Sequence, residues 1–402
     1  MKKNIPFIIL ITVLLLVKCG PDRTKKADKT SVDSVGKDAI FHVLNFPKSG
    51  EDTLKTSYFA DTVKFIPLET NKESFMYDIT KLWINDSVIL ISCRRAGLLM
   101  FQQNGKFVRR IGNRGSGPGE YASIFNFIVI RDTIYISSTA RRSFLRYKFD
   151  GTFCDEIKFN YQPVYFSTTA DQKLACYEQH QGIVLVYNKD FYIPDTIVVD
   201  YGVTSGRYKY VYGDPYTMTY FQKTNSGLLF HNYLNDTVWN IQDKKKEAAF
   251  ILDMKDKLLP FNKQVEFCDG DLKRWEKMAV SYNYVHLMPF SSWIIIFQKH
   301  WADGKYNAIY LNNTKTDEIK KYNTSYIYDD IVSRQKLSLV FSMYSADYLV
   351  TLIEPSQILK DLNQNKENNK GTPSLLWLDQ MKTIDENDNP ILVLMKIKKN
   401  LK

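Results

Sequence analysis

Two loops of this chain carry adjacent arginines, Cys93-Arg-Arg-Ala-Gly97 and Thr139-Ala-Arg-Arg-Ser143. A further arginine, Arg114, lies between them in the run Ile111-Gly-Asn-Arg-Gly-Ser-Gly-Pro-Gly-Glu-Tyr121. A guanidinium presents N–H donors in a fixed fork that matches a carboxylate. Arg94, Arg95, Arg114, Arg141 and Arg142 therefore suit recognition of an anion such as a carboxylated sugar or a peptide carboxylate. Glu178 and His180, two residues apart in a later repeat, complete the set of candidate binding residues. They could also form a fragment of acid–base machinery, but no nucleophile with an evident activator accompanies them. No residue is assigned a catalytic role.

The glycine-rich run invites comparison with a phosphate-cradling loop, yet it has no GxxxxGK[ST] pattern and no helix or βαβ setting follows it. Its glycines suit tight turns with positive φ, Pro118 stiffens them, and Glu120 can accept neighbouring backbone N–H groups. The five cysteines, at 19, 93, 154, 176 and 268, form no CxxC pair. Beyond Cys19 they read as small hydrophobes, with one disulfide permitted in an exported protein. The five histidines, at 42, 180, 231, 286 and 300, have no HExxH or zinc-like spacing. Neither a metal nor a cofactor is expected.

What must position these residues is a repeat of four short strands. Asp86–Ser92, Leu98–Phe101, a turn at Gly105 and Lys106–Ile111 recur as Asp132–Ser138, Phe144–Tyr147, a turn at Gly151 and Thr152–Ile157, so the two glycines are 46 residues apart. That period, with two-residue alternation and glycine turns, is the pattern of β-propeller blades. Aromatics, 14% of the chain with 26 Tyr and 24 Phe, are spread through these runs and favour strands. The predicted fold is all-β: a six-bladed β-propeller with short helical insertions.

Blade one uses Ile79–Ile84, Ser87–Ile91, Leu98–Phe101 and Lys106–Ile111, and blade two runs on through Ile157. Blade three uses Val164–Thr169, Lys173–Tyr177, Ile183–Tyr187 and Thr196–Val199; blade four uses Thr217–Lys223, Leu228–His231, Thr237–Ile241 and Glu247–Leu252. An amphipathic helix is predicted over Asp271–Val280 before blade five, which uses Val285–Phe290, Trp293–Gln298, Tyr306–Leu311 and Glu318–Tyr322. The sixth blade has Leu337–Met343, Tyr348–Ile353 and Pro390–Ile397 but no fourth strand. Thr62–Leu68, upstream of blade one, can fill that place and close the ring. Two helices, Ser356–Asn365 and Pro373–Ile384, are predicted inside this blade. Loops joining second to third strands share a face with the blade-to-blade connections, which places the arginines together.

The N-terminus directs export. Met1-Lys-Lys-Asn4 is basic, Ile5–Val17 is mostly apolar and too short for a comfortable membrane span, and Cys19 follows Lys18. The predicted organisation is a lipoprotein signal over residues 1–18, a lipidated terminus and flexible tether over 19–58, and the propeller over 59–402. Acylated Cys19 would tie the protein to a bilayer, in the envelope of a Gram-negative bacterium and at its outer membrane. The formal charge of +10 overstates the case for a polyanion, because Lys2, Lys3 and Lys18 leave with the leader. No zinc-finger spacing or other nucleic-acid module is present, so nucleic acid is not an expected partner.

Several segments then resemble a known family. Ile66-Pro-Leu-Glu-Thr70, Phe101 through the Gly105-Lys-Phe107 turn, the run Ile111–Tyr121 and Ile384-Asp-Glu-Asn-Asp-Asn-Pro-Ile-Leu-Val-Leu-Met395 are similar to the bacterial six-bladed β-propeller lipoproteins, whose biochemical role is largely undefined. The likeness spans about Phe59 to Lys398. It implies fold and export and supplies no catalytic residue. The functional expectation is an exported, membrane-anchored binding module for an acidic glycan or other anionic ligand, peptides included. The alternatives are an interaction scaffold for an envelope protein, or a hydrolase or lyase on the propeller fold.

Overall fold

The structure is a computed structural model that describes residues 42–124, 126–178, 181–188, 191, 194–199, 221–224, 227–232, 236–242, 244–255, 277, 281–290, 292–300, 306–338, 343–345, 347–360, 377, 381 and 383–399. It is an all-β propeller, and the blade count is seven rather than six. Blade one is Ile79–Ile84, Val88–Cys93, Gly97–Gln102 and Phe107–Ile111; blade two is Phe127–Ile130, Thr133–Ser138, Ser143–Lys148 and Phe153–Lys158. Blade three is Tyr165–Thr168, Leu174–Glu178, Ile183–Tyr187 and Asp195–Val198. Blade four is Phe221–Lys223, Leu228–His231, Thr237–Gln242 and Lys245–Asp253, and Val43–Asn45 pairs in parallel with its outer strand. Blade five is Asn283–Pro289, Trp293–His300, Tyr306–Asn313 and Ile319–Tyr322.

The blade absent from the sequence reading is a short three-stranded sheet. Leu54–Lys55 pairs in parallel with Tyr326–Tyr328, which pairs antiparallel with Lys336–Ser338. The run read as one strand, Leu337–Met343, is therefore divided: its start belongs to this sixth blade, and Met343–Ser345 opens the seventh. A buried Asp329 fixes the intervening turn, its carboxylate accepting N–H bonds from Ile331 (3.0 Å), Val332 (3.2 Å) and Ser333 (2.6 Å). The insertion assigned to the sixth blade accordingly belongs to the seventh. Residues 355–360 are helical within it, and the remainder of its two predicted helices is described only at 377, 381, 383 and 384. The predicted helix Asp271–Val280 lies outside the described residues apart from Lys277.

Closure follows the sequence expectation. Ala60–Pro67 pairs antiparallel with Ile391–Ile397, so the last blade takes its outer strand from the other end of the chain. Apolar faces of successive blades meet in a chain of separate cores. Ile66, Ile89 and Leu392 join blades seven and one; Leu98, Ile111 and Ile134 join one and two; Phe144, Phe166 and Cys176 join two and three. Tyr177 and Phe230 join three and four, Val238 and Ile296 join four and five, and Phe297, Leu337 and Val393 share the core across five to seven. The third-strand aromatics Phe101, Tyr147 and Tyr187 are buried in these interfaces, where large rings bury most area.

One junction explains three of the family-like segments. Glu69 N–H donates to Gly105 O (2.9 Å), and Glu69 Oε2 accepts the Phe107 N–H (2.9 Å). Gly105 has φ +86, and a Cβ there would lie 2.0 Å from Pro67 O, so only glycine fits. From the closing segment, Asn389 donates Nδ2 to Glu69 O (2.8 Å) and Ser74 O (3.0 Å), while its Oδ1 accepts the Met76 N–H (2.9 Å). The start, the first glycine turn and the end of the propeller are thus locked together.

Candidate anion-binding face

Four loops meet on the face that carries the blade connections. The entry to blade one, residues 68–78, is tied to the Arg94–Ala96 loop by the Arg94 N–H donating to Asp78 O (3.1 Å). Arg114, on the crossing from blade one to blade two, donates Nη1 to Arg95 O (3.4 Å) and Nε to Ala122 O (3.1 Å). Arg141 reaches the same crossing from blade two: its Nη2 donates to Ser116 O and to Gly117 O (2.7 Å), and its Nη1 lies 3.6 Å from Glu156 Oε2. Arg94, Arg95, Arg114 and Arg142 are exposed, and Arg141 is half-buried.

The crossing itself is internally satisfied. Gly112 and Gly119 have φ +65 and +70, and Asn113–Arg114 pairs in parallel with Glu120–Tyr121. Glu120 Oε2 accepts the Gly117 N–H (2.8 Å), Tyr121 OH donates to Ile111 O (2.9 Å), and Tyr147 OH donates to Gly119 O. Burial raises the Tyr121 hydroxyl to about 12, so it stays a neutral donor. The Gly117 amide is committed to Glu120 and two loop carbonyls to Arg141. The run is a structural crossing, as its lack of a phosphate-loop pattern implied.

Two residues that sequence reasoning missed complete the face. Phe75 and Tyr77 are 49% and 42% exposed, large values for aromatics, with ring centroids 6.1 Å apart. The Arg95 guanidinium lies 5.3 Å from the Tyr77 ring centroid, and its Nη1 donates to the Tyr77 hydroxyl (3.3 Å). Their signal in the sequence is the alternation Phe75-Met-Tyr77: Met76 is buried at 3%, which turns both rings outward. Two exposed rings, inclined at 49° to each other, beside an arginine fork offer an apolar contact for a sugar ring and paired donors for its carboxylate.

The chain belongs to the family described as Domain of unknown function (DUF4934), which matches residues 41–396. Among solved structures, this DUF4934 chain is similar to a protein of Bacteroides fragilis NCTC 9343 described as exported, at 18% identity and a TM-score of 0.68, covering 87% of this chain and 98% of that one. A member of the duf4221 family from Bacteroides vulgatus ATCC 8482 has 12% identity and a TM-score of 0.48, covering 84% and 97%. Virginiamycin B lyase from Staphylococcus aureus has 12% identity and a TM-score of 0.39, covering 65% and 74%. At 18% identity the likeness to the Bacteroides fragilis protein is one of fold. No curated protein matches the sequence.

Glu178, buried at the end of blade three's second strand, accepts the Gln181 N–H at Oε2 (2.8 Å) and so closes its own turn. His180 and Cys19 lie outside the described residues. Cys93 and Cys176 are buried free thiols, and burial raises both to about 12; Cys154 is free and exposed. The two buried thiols are unreactive for that reason. Among the described residues, no three His, Cys, Asp or Glu side chains are grouped so as to hold a metal ion.

Proposed function

We propose that this DUF4934 protein is an exported, membrane-anchored binding module that holds an acidic sugar on the face built by Phe75, Tyr77, Arg94, Arg95 and Arg114. The observation that carries this reading is the Arg95 guanidinium, 5.3 Å from the ring centroid of exposed Tyr77 and hydrogen-bonded to its hydroxyl, beside exposed Phe75. An exposed aromatic pair beside cations supports reading this face as an interaction surface. The similarity in fold to an exported Bacteroides fragilis protein supports the compartment.

The test is titration with oligogalacturonates at two salt concentrations. Tyr77→Ala and the Arg94→Ala/Arg95→Ala pair should each weaken binding about tenfold or more, about 1.4 kcal/mol, and the arginine pair should also flatten the salt dependence. Arg141→Ala/Arg142→Ala should change affinity little, because Arg141 already serves the loop and Glu156. Equal binding by the wild type and the Tyr77 variant would remove the face as the site.

Anchoring is proposed at Cys19. Cys19→Ser should abolish incorporation of labelled fatty acid and release the protein from the membrane fraction, since stable attachment needs acyl chains. Undiminished labelling of the variant would refute lipidation there.

A further inference from the structure

Lys81, in the innermost strand of blade one, reaches past the entry to blade two as far as blade three. Its Nζ donates to Asn126 Oδ1 (2.8 Å) at the entry to blade two, and lies 5.7 Å from the Phe127 ring centroid and 6.0 Å from that of Phe166. Phe166 belongs to the innermost strand of blade three, and among the described residues no core is shared by blades one and three. Such a reach is possible only where the innermost strands converge. Lys223, ending the innermost strand of blade four, approaches from the other side and donates Nζ to Thr168 Oγ1 (3.2 Å). Phe166 and Thr168 are two residues apart and so on one side of the same strand. Two ammonium groups from blades one and four therefore converge on one short stretch of blade three.

Neither lysine has a carboxylate partner among the described residues: their contacts are an amide oxygen, a hydroxyl oxygen and two aromatic rings. The nearby amide is occupied as well, Asn126 Nδ2 donating to Val164 O (3.3 Å). Desolvation lowers both lysines, Lys81 to about 8. Lys81 is half-buried and Lys223 exposed; a half-buried ammonium with no carboxylate beside it bears a desolvation cost that an anion held between the two lysines offsets.

We propose that the inner ends of blades one, three and four form a second ligand site, in which Lys81 and Lys223 pair with the carboxylate of a small organic acid. The site is independent of the arginine face. It is tested on the full-length protein by acetylating lysines with acetic anhydride at pH 8 and following the Lys81 peptide by mass spectrometry. Benzoate in the millimolar range should slow labelling of Lys81 at least tenfold. Lys223→Met should remove most of that protection and Lys223→Arg should restore it, whereas Arg94→Ala/Arg95→Ala should leave it unchanged. Labelling of Lys81 indifferent to benzoate, protection by inorganic phosphate alone, or protection that survives Lys223→Met would each overturn the proposal. Loss of oligogalacturonate binding with benzoate protection intact would instead count against the arginine face alone.

Discussion

Asn389→Ala should destabilise the propeller by about 3–5 kcal/mol, the largest loss expected from any single polar side chain at the ring closure. The residue is 2% exposed and makes three side-chain bonds to the backbone of the 69–76 segment. Its removal leaves the buried Ser74 carbonyl and the Met76 N–H without partners, each such group costing about 1–3 kcal/mol before water enters, while Glu69 O keeps only the Ser74 hydroxyl (2.7 Å). Asn389→Asp should be nearly as damaging: the acceptor for Met76 survives, but a carboxylate then faces the Glu69 and Ser74 carbonyls. Asn387→Ala, in the same segment, is the control, because the Asn387 side chain bonds only its neighbour Asp385 (3.0 Å). Urea unfolding of the three variants decides the matter. A shift below about 0.5 kcal/mol for Asn389→Ala, the ordinary range for surface substitutions, would show that the closure does not depend on this residue. Because the same segment continues into Phe75 and Tyr77, weakened closure should also loosen the proposed sugar face.

Much of this architecture is legible in the sequence because its signals are local. Gly105 and Gly151 mark turns with φ +86 and +85, and the alternating runs beside them become the strands of blades one and two within a residue or two. The closure was legible for another reason: a blade one strand short and an orphan strand upstream define each other. The sixth blade offers no comparable signal. Its parallel pair joins Leu54 to Ile327 and Lys55 to Tyr328 over two residues, and a strand that short has no periodicity to read. The turn held by Asp329 is likewise a tertiary fact, visible only once its carboxylate is seen to be buried.

The candidate face divides in the same way. Strand topology brings Arg94, Arg95, Arg114 and Arg141 to one place, as the loop positions imply, but topology does not say which guanidinium remains available. Arg141 and Arg142 are adjacent in sequence, yet Arg141 is spent on Ser116, Gly117 and Glu156 while Arg142 is exposed. Arg95 keeps its value as a binding group because its partner is an exposed ring. Phe75 and Tyr77 went unread because aromatics are abundant throughout the chain, and only burial separates two exposed rings from many packed ones.

Lys81→Met should stabilise the protein at pH 7, by at most about 3.5 kcal/mol, and the gain should vanish at high pH. Lys81 sits at about 8 in the folded protein against 10.5 for an ordinary lysine, and burial is the cause; each pH unit of that difference is worth about 1.4 kcal/mol. Below pH 8 the ammonium is charged in both folded and unfolded chains, so the folded state bears the whole desolvation cost. Between about 8 and 10.5 the folded protein releases the proton while the unfolded chain retains it, and wild-type stability rises with pH relative to the variant. Above that window both forms are neutral and the two proteins should converge. Methionine keeps an unbranched apolar stem against Phe127 and Phe166, so packing changes little. Unfolding midpoints of wild type and variant at pH 7 and pH 10.5 provide the comparison. A variant no more stable at pH 7, or a gain that persists at pH 10.5, would mean that the Lys81 ammonium is adequately solvated and bears no such cost. A gain confined to low pH would identify Lys81 as a residue kept at a loss to stability, which is the pattern expected where a ligand supplies the missing charge.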